Sequence, residues 1–239
     1  MSYYRTLLIQ SGITTDGLQV WLETSNTNSY PGSGTIWTDL TVGENGTLNG
    51  TDSSRIAYSV DPTIGGIFTV GGNGLVTLGN NLAISTQSFT FSMWVRWTTV
   101  FGALQTFFGK SADTALSYTF VFNPTTREII FRSWNVGNTL VETKTTTNAI
   151  TQNQWMNITV KRDGTAVTIY VNAINRNSVN GTHNAFQSNI LSRDFIIFRN
   201  PSAAQNYLGQ AEQFLYYNRA LSDDEILSNF NARKSKFGY

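Results

Sequence analysis

The sequence predicts an all-β protein, an antiparallel sandwich closed by one short C-terminal helix. Three observations predict it. Runs alternating apolar and polar residues recur along the chain, Gly, Asn, Asp and Pro turns separate them, and no helical stretch intervenes as a parallel crossover would require. Asn and Thr are abundant, at roughly two dozen and thirty, while charged residues are only 13% of the 239 positions. That share is about half the usual ~25%, and the bias favours turns and strands over helices.

The rest of the composition bounds the function. Hydrophobic residues make up 40% and aromatics 13%, enough for a substantial core in one large sandwich. A formal net charge of +1 with mixed signs gives no electrostatic footprint for nucleic acid or an anionic membrane. Without cysteine there is no disulfide, thiol catalysis or Cys-ligated zinc. No run approaches the ~20 apolar residues of a membrane span. The first residues lack the apolar core and cleavage site of a signal peptide. The expectation is a protein made in a cytosol, with neither nucleic acid nor membrane as a partner.

In chain order, residues 1–16, "MSYYRTLLIQSGITTD", read as an arm or added strand, and 17–239 as one domain. "GLQVWLE" opens the sandwich. The segment from Ser25 to Asp61, rich in Thr, Asn, Gly and Ser, reads as ordered loop with short strands, anchored by Trp37, Leu40 and Leu48. "GIFTV" and "GLVTL" follow as short strands. In "SFTFSMWVRW", Phe89, Phe91, Met93, Val95 and Trp97 share one face, and Thr90, Ser92, Trp94 and Arg96 the other. Tyr118 to Phe122 and Glu128 to Trp134 form a predicted hairpin across a Pro-containing turn. "QWMNITVKRDGTAVTIYVNA" forms a second, turning at Asp163-Gly164. "RDFIIFRN" and "GQAEQFLYY" supply two more strands.

The closing helix is specified residue by residue. Ser222 is its N-cap, with Glu225 three positions on completing a capping box, and Leu221 and Ile226 are spaced as a hydrophobic staple. Asp223 and Asp224 put negative charge on the first turn, where the helix dipole favours it. Ile226, Leu227 and Phe230 make one apolar stripe, with Arg233, Lys234 and Lys236 towards the end. So short a helix is marginal alone and must dock on the sandwich.

Together "FTFSMWVRW", "QWMNITVKRDGTAVTIYVNA" and "YLGQAEQFLYYNRALSDDEILSNF" resemble the laminin G-like, or concanavalin A-like, jelly-roll domains. The opening "GLQVWLETSNTNSYPGSGTIWTDLTVGENGTLNG" is similar to the version common in tailed-phage virion proteins, with its W-x-D-L segment, N-G-T-L turn and final N-F-N-A-x-K tail. The resemblance implies an antiparallel jelly-roll β-sandwich and a non-enzymatic decoration or fibre protein on a virion surface, made in the host cytoplasm. It implies capsid or tail proteins as partners, a multi-copy or homo-oligomeric assembly, and a host-surface glycan as ligand. The alternative it leaves open is a carbohydrate-binding adhesin, with or without calcium.

Relatives of this fold include glycosidases, so the chemistry is weighed on the residues. Two carboxylates flanking a sugar are needed. The glutamates are Glu23, Glu44, Glu128, Glu142, Glu212 and Glu225, and no E-x-D or E-x-x-x-E pair falls within a strand. The single histidine, His183, sits in a loop-like "VNGTHNAF" and reads as a surface residue, with no G-x-S-x-G elbow to partner it. The expectation is no enzyme and no cofactor. Calcium stays the alternative, because many such domains hold an ion at the rim: Glu212 loosely matches the family's acidic position, and Asp113 and Asp194 are loop carboxylates that could join carbonyl oxygens.

For carbohydrate, the candidate surface is Trp134 with Arg132, which alternation places on one strand face with Ile130, and Tyr118 at the start of the paired strand. The competing reading packs Trp134 under a loop or in a subunit contact. Trp94 and Trp155 read as core. Tyr217, Asn218 and Arg219 read as architecture, shaping the corner from strand to helix.

Overall fold

A computed structural model describes residues 12–41, 43–80, 82, 84–99, 103–112, 115–186, 194–200 and 205–239. Among the described residues seventeen strands follow one another: β1 (Leu18–Glu23), β2 (Ile36–Trp37), β3 (Gly46–Leu48), β4 (Ile56–Asp61), β5 (Gly65–Val70) and β6 (Val76–Thr77), then β7 (Phe89–Trp97), β8 (Gln105–Ala112), β9 (Ala115–Asn123), β10 (Glu128–Trp134), β11 (Leu140–Thr145) and β12 (Trp155–Asp163). The last five are β13 (Ala166–Val171), β14 (Ile174–Asn175), β15 (Asn177–Val179), β16 (Phe195–Ile197) and β17 (Gly209–Tyr217). Helix α1 (Asp223–Asn231) and a 3-10 turn over Lys234–Phe237 complete the chain. No described helix is long and apolar enough to cross a membrane.

The strands form two antiparallel sheets. The first runs β14-β13-β12-β7-β17-β5-β4, with β1 also paired to β17. The second runs β15-β11-β10-β9-β8-β16-β6-β3-β2. The predicted all-β jelly-roll sandwich is what the chain forms. Sequence-distant strands meet at its centre, where β7 lies between β12 and β17.

Alternation decides which side chains fill the interior. Phe89, Phe91, Met93, Val95 and Trp97 all enter the core between the sheets. Phe91 bridges the layers, its ring 4.7 Å from those of Phe108 and Tyr216. Burying each such ring is worth about 2–3 kcal/mol, so the aromatic content is concentrated where it stabilises most. The hairpin β12–β13 turns through Gly164-Thr165, one residue beyond the predicted dipeptide, with Asp163 already paired to Ala166. Gly164 takes φ +58°, which an L side chain resists.

The opposite face of the first sheet is also covered. Trp94 is fully buried there, stacked on Phe237 at 3.9 Å and on Phe230 at 5.6 Å. Trp155 packs on the same Phe237 ring at 5.2 Å. Both tryptophans are core residues, but of this outer layer, not of the sandwich interior.

Helix α1 is pinned at both ends. Ser222 Oγ accepts from the Glu225 amide and the Glu225 carboxylate accepts from the Ser222 amide. Leu221 and Ile226 lie in one buried cluster. Asp223 accepts from Tyr170 Oη at 2.7 Å and pairs with Lys161. At the corner, Tyr217 Oη donates to the Thr14 carbonyl and accepts from Asn229, while the exposed Asn218 donates its amide to the Gly17 carbonyl. Arg219 pairs with Glu225 and Asp16. Ile13 joins that cluster and Thr14 donates to Asn229, so residues 12–16 pack on the domain. The rest of the expected arm, 1–11, lies outside the described residues.

The basic residues do not serve the helix dipole. The last turn of α1 holds none, and Arg233 and Lys236 follow it. They reach a buried carboxylate pair instead. Arg233 binds Glu23 at 2.8 Å and Glu212 at 2.7 Å, and Lys236 binds Glu212 at 2.9 Å. Trp21 Nε1 donates to the second oxygen of Glu23 at 2.9 Å. Burial opposes the charge on Glu23, but Arg233, Lys236 and the indole outweigh it and hold the carboxyl below its ordinary range.

Candidate binding face

The exposed end of the second sheet is built by β10, β11 and β15. Cross-strand partners point to the same side, and in register Arg132 faces Glu142, Trp134 faces Leu140, and Ile130 faces Lys144, which in turn faces Val179. All of these point away from the core, because the intervening Ile129, Phe131, Ser133 and Thr143 are the fully buried set. Trp134 is half-buried, Leu140 is 45% exposed and Val179 49%. On β9 the same side is fully buried at Thr119 and Val121, so the accessible strip ends at β10.

An ion triad crosses the strip. Arg132 Nε contacts Glu142 Oε1 at 2.7 Å and Lys144 Nζ contacts Glu142 Oε2 at 2.6 Å. Burial works against the Glu142 charge, but the hydrogen bonds and charges of Lys144 and Arg132 prevail and keep its pKa below the usual range. Sequence reasoning named Arg132 and Trp134 for this face but not Glu142, Lys144, Leu140 or Val179, which the register places beside them.

Directly behind the strip sits His183. Its Nδ1 lies 2.7 Å from Ser133 Oγ and its Nε2 2.9 Å from Thr143 Oγ1, so one imidazole clips β10 to β11. The expected surface histidine is fully buried. Gly181 permits this: a Cβ there would lie 2.5 Å from Val141 Cγ1, so only glycine lets the chain pass against β11 and deliver the ring. Burial, and then the charge of Arg162, lower the His183 pKa to about 4. Arg162 is itself buried, donating to the carbonyls of Ser85 and His183. With no exposed atom, the Ser133–His183 contact offers no nucleophile to a substrate.

Three expected site residues are placed differently. Tyr118 pairs with Ser133, not Trp134, and therefore points inward; it is fully buried, with its hydroxyl on the Leu82 carbonyl. It is no part of a surface. Glu212 is buried beneath Arg233 and Lys236, so its charge is already met by side-chain cations rather than by a metal. Asp194 is exposed and precedes β16 on the other sheet, near Lys110, so it does not join Glu212. Asp113 lies outside the described residues. Among the described residues no group of three metal-ligating side chains forms.

A polar recess of about 320 Å³ opens elsewhere, lined by Asn28, Thr38, Asp39 and Thr41 among others. Asp39 is committed to the backbone: it accepts from the amides of Trp21 at 2.7 Å, Thr41 at 3.0 Å and Gly43 at 2.8 Å. That explains the aspartate of the W-x-D-L segment as a loop organiser.

Two facing antiparallel sheets in a jelly roll make a lectin-like domain fold. The family model described as the concanavalin A-like lectin/glucanases superfamily, of laminin G type, matches residues 70–227, and the chain belongs to that superfamily. No curated protein matches the sequence. Among solved structures, the binding domain of Paraclostridial Mosquitocidal Protein 1 is similar over 90% of this chain and 52% of its own, with TM-score 0.67 and 14% identity. Trypanosoma rangeli sialidase is similar over 95% of this chain and 34% of its own, with TM-score 0.62 and 14% identity. Domain 4 of a GH43 arabinanase from Geobacillus stearothermophilus, in complex with arabinotriose, is similar over 90% of this chain and 99% of its own, with TM-score 0.59 and 18% identity. The chain thus spans about half of the first and a third of the second.

Proposed function

We propose that the protein is a non-enzymatic binding module that recognises carbohydrate through the strip around Trp134, and that it serves on the surface of a tailed-phage particle. The observation that carries the binding role is Trp134 itself: a large aromatic, half-buried on an outward sheet face, beside Arg132 and Glu142. Aromatic faces with fixed polar neighbours are what a sugar ring stacks on. The arabinanase domain, matched over nearly its whole length, was solved with a bound arabinotriose, which supports the same reading.

Carboxylate placement supports a binding role over catalysis. Glu128 and Glu142 share the outer face of the sheet, but their backbones lie about 14 Å apart by register, and the two carboxylates are engaged separately, Glu128 by Thr126 and Glu142 by Arg132 and Lys144. Glu23 and Glu212, which the fold does bring together, are neutralised by Arg233 and Lys236 under the C-terminal segment.

The particle assignment rests on the sequence, whose two ends are similar to the phage-virion version of this domain. Mass spectrometry of purified particles tests it, and absence of the chain from them rejects it. A glycan array read with native protein and Trp134→Ala tests the face. Native signal that the variant lacks is the expected outcome; equal signal from both moves the site elsewhere. An array repeated with chelator addresses the calcium-assisted adhesin.

A further inference from the structure

The strip carries a charge imbalance that its own side chains do not resolve. Two cations, Arg132 and Lys144, share the one carboxylate of Glu142, and each Glu142 oxygen is taken by one of them. Arg132 uses only Nε for that contact, and neither terminal nitrogen has a partner among the described residues. The side chains are 22%, 20% and 32% exposed for Arg132, Glu142 and Lys144, so the triad sits in a partly dry setting where charges act more strongly than in water. The next acid along the face is Glu128, about 14 Å from Arg132 along β10 and past the ~8–10 Å screening length. The whole chain is nearly neutral, so this positive charge is local to the strip.

Trp134 stands two residues from Arg132 on the same side of β10, about 7 Å away at the backbone. A sugar ring on the indole therefore brings its substituents, or those of the adjoining sugar, to the guanidinium. A planar fork of free N–H groups matches a carboxylate in shape and charge better than it matches a hydroxyl. We propose, on the reading of this strip as the carbohydrate site, that its ligand is a carboxylate-bearing saccharide, its ring on Trp134 and its carboxylate on the terminal nitrogens of Arg132. The ligand then completes the triad, two cations facing two anions. Glu142 acts as a positioning residue: it holds the Arg132 side chain by Nε so that the fork faces outward.

The test uses the full chain and matched probes: oligogalacturonate against its methyl ester, and sialyllactose against lactose, by titration calorimetry at low and at 0.5 M salt. Expected is at least one acidic probe binding tenfold or more tighter than its neutral counterpart, with the preference shrinking in salt. Arg132→Gln removes that preference, whereas Arg132→Lys, which keeps charge but not the fork, restores only part of it. Glu142→Gln, which removes the competing negative charge, widens the preference for the acidic probe over its neutral counterpart. If acidic and neutral probes bind equally and Trp134→Ala abolishes both, the carboxylate assignment fails while the face stands. If no probe binds, or binding ignores Trp134→Ala, the face itself is wrong. Unchanged circular dichroism of each variant secures the comparison against misfolding.

Discussion

On the first sheet β7 turns Trp94 away from the sandwich interior, and on the second β10 turns Trp134 away in the same sense. The local patterns are alike, a tryptophan on the polar side of an alternating strand. Trp94 ends fully buried under Phe230 and Phe237, while Trp134 keeps an open side beside Arg132 and Leu140. The difference lies in the C-terminal segment, which covers the outer face of the first sheet at Trp94, whereas the β10–β11 strip of the second sheet stays partly open. The segment is held by apolar stacking and by the Glu23–Arg233–Glu212–Lys236 network. Charged groups are used oppositely as well. On the covered face two cations meet two carboxylates, and on the open face two cations meet one.

If that contrast is right, substitutions on the covered face cost stability and those on the open face cost binding. The largest effect belongs to Trp94→Ala, expected to destabilise by about 3–5 kcal/mol through loss of the stack and the cavity left behind. Arg233→Ala follows at a similar ~3–5 kcal/mol, because it strands Glu212 and Glu23 without their shared cation. Urea unfolding of each variant against the native chain measures both; a shift below about 1 kcal/mol in either means that the segment does not cover the face.

Next comes the clip behind the open face. An unfolded chain protonates His183 near 6.5, while the folded one resists until about 4. Stability from this residue is therefore complete above pH 6.5 and declines as pH falls towards 4, by about 3 kcal/mol in total. Unfolding midpoints between pH 7 and 4 should fall in the native protein and stay flatter in His183→Gln. Parallel curves would mean that the imidazole is not held neutral. Ser222→Ala, which removes the cap of α1, should cost about 1 kcal/mol. Smallest of all, Trp134→Ala should change stability by well under ~1 kcal/mol while abolishing carbohydrate binding, and a large loss of stability there would turn Trp134 into a packing residue.

Much of this was legible in the residues. The two faces of β7, the hairpin of β9 and β10, and the cap of α1 are local matters, set by a period of two or by a side chain three residues away. Arg132 and Trp134 could be found because strand alternation puts them together. Tyr118 was misread because its partner across the hairpin is Ser133, and a register fixed one residue differently inverts a side chain's direction. Glu212 read as a metal ligand because Arg233, 21 positions away, gives no local sign of its approach.

Local pattern sufficed for the clearly alternating strands, the capped closing helix and the class of sandwich, because each rests on interactions between near neighbours; β8 and β11 went unread, and the β12–β13 turn was placed one residue early. Only the tertiary structure decided that Glu23 and Glu212 meet, that His183 is a buried clip, and that Trp94 is covered where Trp134 is open. Those outcomes depend on contacts closed by chain segments up to about two hundred residues apart, such as Arg233 with Glu23. The entropy cost of such closures is set by the fold as a whole, and no local pattern encodes which partner will be there.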